Sequence, residues 1–114
     1  MTRLLTLFFA LVTLAVKADQ TIVPYGSAWK YLDNGTDQGK AWTATSFNDI
    51  AWATGNSELG YGDGGEATVV SYGPSSSNKY MTTYFRKAIN IANVNAFTSF
   101  TLNIKRDDGA VVYV

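Results

Sequence analysis

The feature that most constrains the fold lies near the end of the chain. Phe100, Leu102 and Ile104 alternate with Thr101, Asn103 and Lys105. Asp107-Asp108-Gly109 follows, and then the apolar run Ala110-Val111-Val112-Tyr113-Val114. A period of two places alternate side chains on opposite faces of a strand. An Asp-Gly pair supplies the positive φ that a tight hairpin turn requires. Residues 99–114 are therefore expected to form a β-hairpin with its turn at Gly109, against which upstream strands complete a sandwich.

The rest of the chain is consistent with that requirement. Residues 21–24 read as a short edge strand, where Pro24 is tolerated because it has no N–H to donate to a ladder. Ala28-Trp29-Lys30-Tyr31-Leu32 is a stronger strand. The segment Asp33-Asn34-Gly35-Thr36-Asp37-Gln38-Gly39 is rich in Asx-turn formers and reads as a loop. Asp33 and Asp37 are oxygen donors, but no glutamate closes the pattern and glycines interrupt it, so it fails as an EF-hand. Asn34-Gly35-Thr36 also matches the glycosylation sequon, which has meaning only in a eukaryotic secretory pathway. Between Trp42 and Trp52, Ser46-Phe47-Asn48-Asp49 has the form of one helical turn capped by Ser46. Residues 55–65 are glycine-rich and read as a long irregular loop; a phosphate cradle would need a Lys-Ser/Thr pair that is missing. Residues 68–72 resume as a strand, residues 73–78 form a second loop, and residues 79–91 read as the longest strand. With no helix of ordinary length in this region and six or seven short strands, the class is an all-β sandwich or jelly roll.

Of the 114 residues, the first eighteen read as an export signal: Arg3 precedes an apolar run over residues 4–16, and Val16-Lys17-Ala18 places cleavage after Ala18. The run is shorter than the roughly 20 apolar residues that span a bilayer, so a membrane anchor is the weaker reading. Residues 19–114 then form one domain, secreted or held at the cell surface, without a membrane span. This segment carries seven basic residues against nine acidic ones and no basic stripe. That pattern argues against nucleic acid and anionic membranes as partners. Neither cysteine nor histidine is present, so thiolate nucleophiles, Ser-His-Asp triads and nearly all zinc sites are excluded within these residues. Without disulfides, the exported domain must be held by its core.

Carboxylates remain the only acid-base groups. Asp107 and Asp108 are adjacent, and neighbours on a strand point to opposite faces, so they do not form a cooperating dyad. They read as turn formers, with Asp107 capping local amides or pairing with Arg86 or Arg106, against a calcium site as competitor. Asp63, Glu66 and Asp107 are the candidate calcium ligands. Glu58 and Glu66 are conceivable glycosidase carboxylates but lie in loops that do not fix their separation. Trp29, Trp42 and Tyr61 are the candidate sugar-binding residues, because pyranose rings stack on exposed aromatic faces; the competing reading is that the tryptophans plug the core.

Several motifs together resemble a galactose-binding-like β-sandwich module. They are Trp29-Lys30-Tyr31-Leu32-Asp33, the Trp42…Phe47-Asn48-Asp49…Trp52 spacing, Gly60-Tyr61-Gly62-Asp63, Tyr84-Phe85-Arg86-Lys87 and Asp107-Asp108-Gly109-Ala110-Val111-Val112-Tyr113. The resemblance implies a jelly-roll domain near the start of a large secreted bacterial protein. Such modules often precede a calcineurin-like or purple-acid-phosphatase-like metallophosphoesterase, a glycoside hydrolase or surface-attachment domains. In that family the closing hairpin continues into further strands, whereas here Val114 falls within an apolar run. An unpaired apolar edge invites aggregation, so the sequence is expected to be the front part of a longer product. Three functions follow as expectations: a non-catalytic accessory module binding glycans, the leading piece of a secreted hydrolase with its active site downstream, or a structural and adhesive surface module.

Overall fold

A computed structural model describes residues 18–114. The apolar run over residues 4–16, expected to be an export signal, lies outside the described residues. Strand β1 (Ala28–Leu32) is flanked antiparallel by β2 (Ala53–Asn56) and β5 (Tyr84–Arg86), giving a sheet of order β2-β1-β5. Strands β3 (Leu59–Gly60) and β4 (Thr68–Val69) form a second, parallel pair. Two three-residue 3₁₀ turns, Ala41–Thr43 and Val94–Ala96, are the only helical elements among the described residues. The described residues are thus all-β, in two small sheets.

The register of β1 explains how its two faces differ. Lys30 stands opposite Thr54 and Arg86, while Tyr31 stands opposite Ala53 and Phe85. Two cations directly opposed on one face would repel. They diverge instead. Lys30 Nζ donates to the Trp52 carbonyl at 3.3 Å, and the Arg86 guanidinium donates to Asp49 Oδ2, to the Ala44 carbonyl at 2.8 Å and to the Phe47 carbonyl at 3.4 Å. The Arg86 head also lies 5.1 Å from the Phe47 ring centre, a cation–π contact. One arginine therefore ties the 44–49 segment to the strand that carries it.

The buried apolar centre is small. Among the described residues, Trp52 (7% exposed) and Val70 (3%) are the buried hydrophobic side chains. Trp52 packs edge-on against Phe47 at 5.7 Å and tilted against Tyr84 at 6.2 Å, and Tyr84 meets Trp42 edge-on at 5.1 Å. These separations suit the quadrupoles of aromatic rings. The two sheets approach closely at Gly55. A Cβ added there would come within 2.5 Å of the Thr68 side chain, so only glycine admits β4 beside β2. Thr68 uses that proximity to donate from Oγ1 to the Asn56 carbonyl at 2.9 Å.

Several elements differ from the sequence expectation. Residues 99–114 do not pair as a hairpin; they run without strand structure and are exposed. A two-stranded hairpin is marginal alone and needs a third strand or an apolar surface to cover it. No described strand pairs with this arm, and Phe100, Leu102 and Ile104 remain 55%, 61% and 52% exposed. The positive φ expected at Gly109 is taken by Asp108, at 65°. Asp tolerates the left-handed region because its short polar side chain bonds locally. Residues 79–91 contribute only the three-residue β5, since the partner strand β1 is itself short and pairs with β5 only over residues 84–86. Residues 21–24 form no edge strand: the Pro24 carbonyl accepts the Ser27 N–H at 3.2 Å and closes a turn. The helical turn lies at Ala41–Thr43, not at Ser46, and no side chain caps it.

Candidate ligand-binding face

The parallel pairing of β3 and β4 brings together two tyrosines that are eleven positions apart. Leu59 pairs with Thr68 and Gly60 with Val69, and the Val70 N–H donates to the Gly60 carbonyl at 3.0 Å. Tyr61 leaves β3 next to the chain that leaves β4 towards Tyr72. Their rings sit 5.3 Å apart at an interplanar angle of 59°. Both are exposed, Tyr61 at 36% and Tyr72 at 41%.

The loop over residues 73–78 then folds back. Ser75 and Asn78 form an isolated antiparallel bridge, and the Tyr80 N–H donates to the Tyr72 carbonyl at 2.8 Å. This return places Lys79 over the tyrosines, with Nζ 5.1 Å from the Tyr61 ring centre and 6.0 Å from that of Tyr72. Lys79 also lines a cavity of about 400 Å³, together with Thr36, Asp37, Tyr80 and Thr82. The result is an exposed aromatic pair with a cation above it, and that cation also borders a hollow of mixed polar and apolar lining.

The loop carrying Tyr61 is held by Glu66. Its Oε1 accepts the Asp63 N–H at 2.7 Å. That bond, helped by the backbone N–H groups of Glu66, Gly64 and Gly65, holds the Glu66 carboxyl below the usual carboxylate range. Glu66 is thus committed as an acceptor for its own loop. Asp63 lends that loop its amide, while Asp107 Oδ1 accepts the Asp108 N–H at 2.9 Å, an amide cap of the kind expected of it. Among the described residues, no three carboxylates gather into a group that could hold a metal ion, so Asp63, Glu66 and Asp107 do not converge as a calcium cage. Asp33 and Asp37 likewise serve backbone donors, Ser71 at 2.6 Å and Gly39 at 2.8 Å.

A second polar cluster joins Tyr25, Glu58 and Lys105. Glu58 Oε2 accepts from Lys105 Nζ at 2.7 Å and from the Tyr25 hydroxyl at 3.1 Å. The Lys105 bond is the main cause that lowers the Glu58 pKa, and the bond to Glu58 raises the pKa of both Lys105 and Tyr25. A retaining or inverting glycosidase needs one carboxyl kept protonated as the acid. Glu58 and Glu66 are both pushed the opposite way.

The two tryptophans of the sequence reading sit differently from Tyr61. Trp42 is half-buried, with Tyr84 at 5.1 Å on one side and Tyr113 at 5.5 Å on the other. Its ring edges are engaged within the chain. Trp29 is half-buried on the opposite face of β1 from Lys30, with Lys87 Nζ 6.0 Å from its ring centre. Tyr72 and Lys79 were not singled out from the sequence. Their meeting with Tyr61 depends on a two-residue parallel pairing, too short to show any alternation, inside what reads as an irregular glycine loop. Compared with family models, with curated proteins and with solved structures, the chain matches none.

Proposed function

We propose that this chain is a non-catalytic accessory module of a secreted protein, of galactose-binding-like jelly-roll type, that binds carbohydrate through Tyr61 and Tyr72. The observation that carries the reading is the exposed ring pair, 5.3 Å apart and brought together by the pairing of β3 and β4. Aromatic faces left open at the surface stack against the C–H faces of pyranose rings and lose little conformational entropy in doing so. The all-β architecture and the order of the motifs around Trp29, Trp42, Tyr61, Arg86 and Asp107 support the family reading. The depressed pKa values of Glu58 and Glu66 weigh against either serving as the protonated acid of a glycosidase.

Isothermal titration with a panel of neutral and acidic oligosaccharides tests the reading. Binding should be weak, and Tyr61→Ala and Tyr72→Ala should each lower affinity by roughly tenfold, equivalent to about 1.4 kcal/mol. Affinity unchanged by both substitutions, or no binding of any sugar at millimolar concentration, would overturn it.

A second reading, a surface module that docks a protein partner, is favoured by the exposed apolar residues of the terminal arm, Phe100, Leu102, Ile104 and Val111.

A further inference from the structure

Lys79 differs from most of the other described cations in what surrounds it. Arg86 is paired with Asp49 and Lys105 with Glu58. Lys30 donates to the Trp52 carbonyl, Lys87 to the Ala28 carbonyl and Arg106 to the Asp108 carbonyl. Lys79 makes no ion pair among the described residues; its ammonium lies over Tyr61 and Tyr72. An ammonium has three donors and no acceptor, and ring faces engage its charge without satisfying those donors.

The carboxylates of the neighbouring loops each accept a backbone amide, and none of them pairs with Lys79. Asp33 accepts the Ser71 N–H, Asp37 accepts the Gly39 N–H, and Glu66 accepts the Asp63 N–H. Asp63 is the remaining acid on the Tyr61 loop, and its negative charge is felt by Lys105. Among the described residues, Lys79 is thus a cation with unused donors beside two paired aromatic rings that are both exposed.

We propose that this site takes an acidic sugar, a glycan carrying a uronate or comparable carboxylate, with the pyranose ring on Tyr61 and Tyr72 and the carboxylate on Lys79 Nζ. The inference rests on the carbohydrate reading above and adds the ligand's charge. A carboxylate meeting an ammonium makes a charge-assisted hydrogen bond, roughly twice as strong as a neutral one. Thr36 and Thr82 line the same hollow as Lys79 and bring hydroxyl groups to it.

The test titrates the full chain with trigalacturonate and with the galactotriose obtained by reducing its carboxyl groups, at low and at moderate salt. Trigalacturonate should bind roughly tenfold tighter at low salt and lose most of that advantage when the Debye length falls to about 8 Å. Lys79→Gln should abolish the preference, and Lys79→Arg should keep it. Equal affinity for the two sugars, or a preference that survives Lys79→Gln, would overturn the acidic assignment alone. Failure of both sugars, with the rest of the carbohydrate panel also silent, would overturn the carbohydrate reading and this inference with it.

Discussion

Gly35 shows how a single position joins a loop to the rest of the chain. It has a φ of +77°, and the Tyr80 ring lies so close to its α-carbon that a Cβ there would collide with the ring. Both the backbone conformation and the contact demand glycine. Gly35→Ala is expected to destabilise by about 1 kcal/mol or more, seen as a lower denaturation midpoint at unchanged slope. Gly109 is the contrasting case. Its neighbour Asp108 holds the positive φ, and nothing lies within 4 Å of where a Gly109 Cβ would be. Gly109→Ala should therefore change stability by less than about 0.5 kcal/mol, the usual range for a surface substitution. Both positions read from sequence as turn glycines. The distinction depends on Tyr80, which is 45 positions from Gly35, and on an arm that stays unpaired.

Among the elements, β1 was legible at its full length, because Ala28-Trp29-Lys30-Tyr31-Leu32 alternates between faces that the flanking strands then use. The closing hairpin was not. Its residues have strand chemistry, but strand chemistry becomes a strand only where a partner offers hydrogen bonds and cover, and none of the described strands pairs with it. Residues 79–91 make the same point from the other side, since only Tyr84, Phe85 and Arg86 pair with β1. The link between β5 and the 44–49 segment is mostly carried by Arg86, whose side chain is 16% exposed. Arg86→Met keeps the apolar stem but removes the bonds to Asp49, Ala44 and Phe47. It should cost about 2 kcal/mol, because Asp49 and the carbonyls lose a charged donor. A thermal melt that does not move would show that the segment is held by Trp52 and Phe47 packing alone.

At the scale of the whole molecule, pH acts through the Tyr25, Glu58 and Lys105 cluster together with Glu66. Glu58 and Glu66 titrate lower in the folded chain, so their contribution is present above the ordinary carboxylate range and is lost as pH falls through and below it. Lys105 and Tyr25 titrate higher in the folded chain, so theirs is present below the ordinary lysine and tyrosine range and is lost as pH rises through it. The melting temperature should be flat from about pH 6 to about pH 9 and decline on both sides. Lys105→Met should weaken both limbs while Glu66 preserves part of the acid one. The candidate site was only partly legible: Tyr61 could be named from its exposed-aromatic chemistry, but Tyr72 and Lys79 join it through a parallel pairing that leaves no periodic trace. The claim that this pair is the ligand face is tested most directly by ¹H–¹³C NMR of the aromatic rings during titration with trigalacturonate. The resonances of Tyr61 and Tyr72 should shift together and saturably while those of Trp42 stay in place. Movement of the Trp29 or Trp42 signals with both tyrosines unmoved would contradict it.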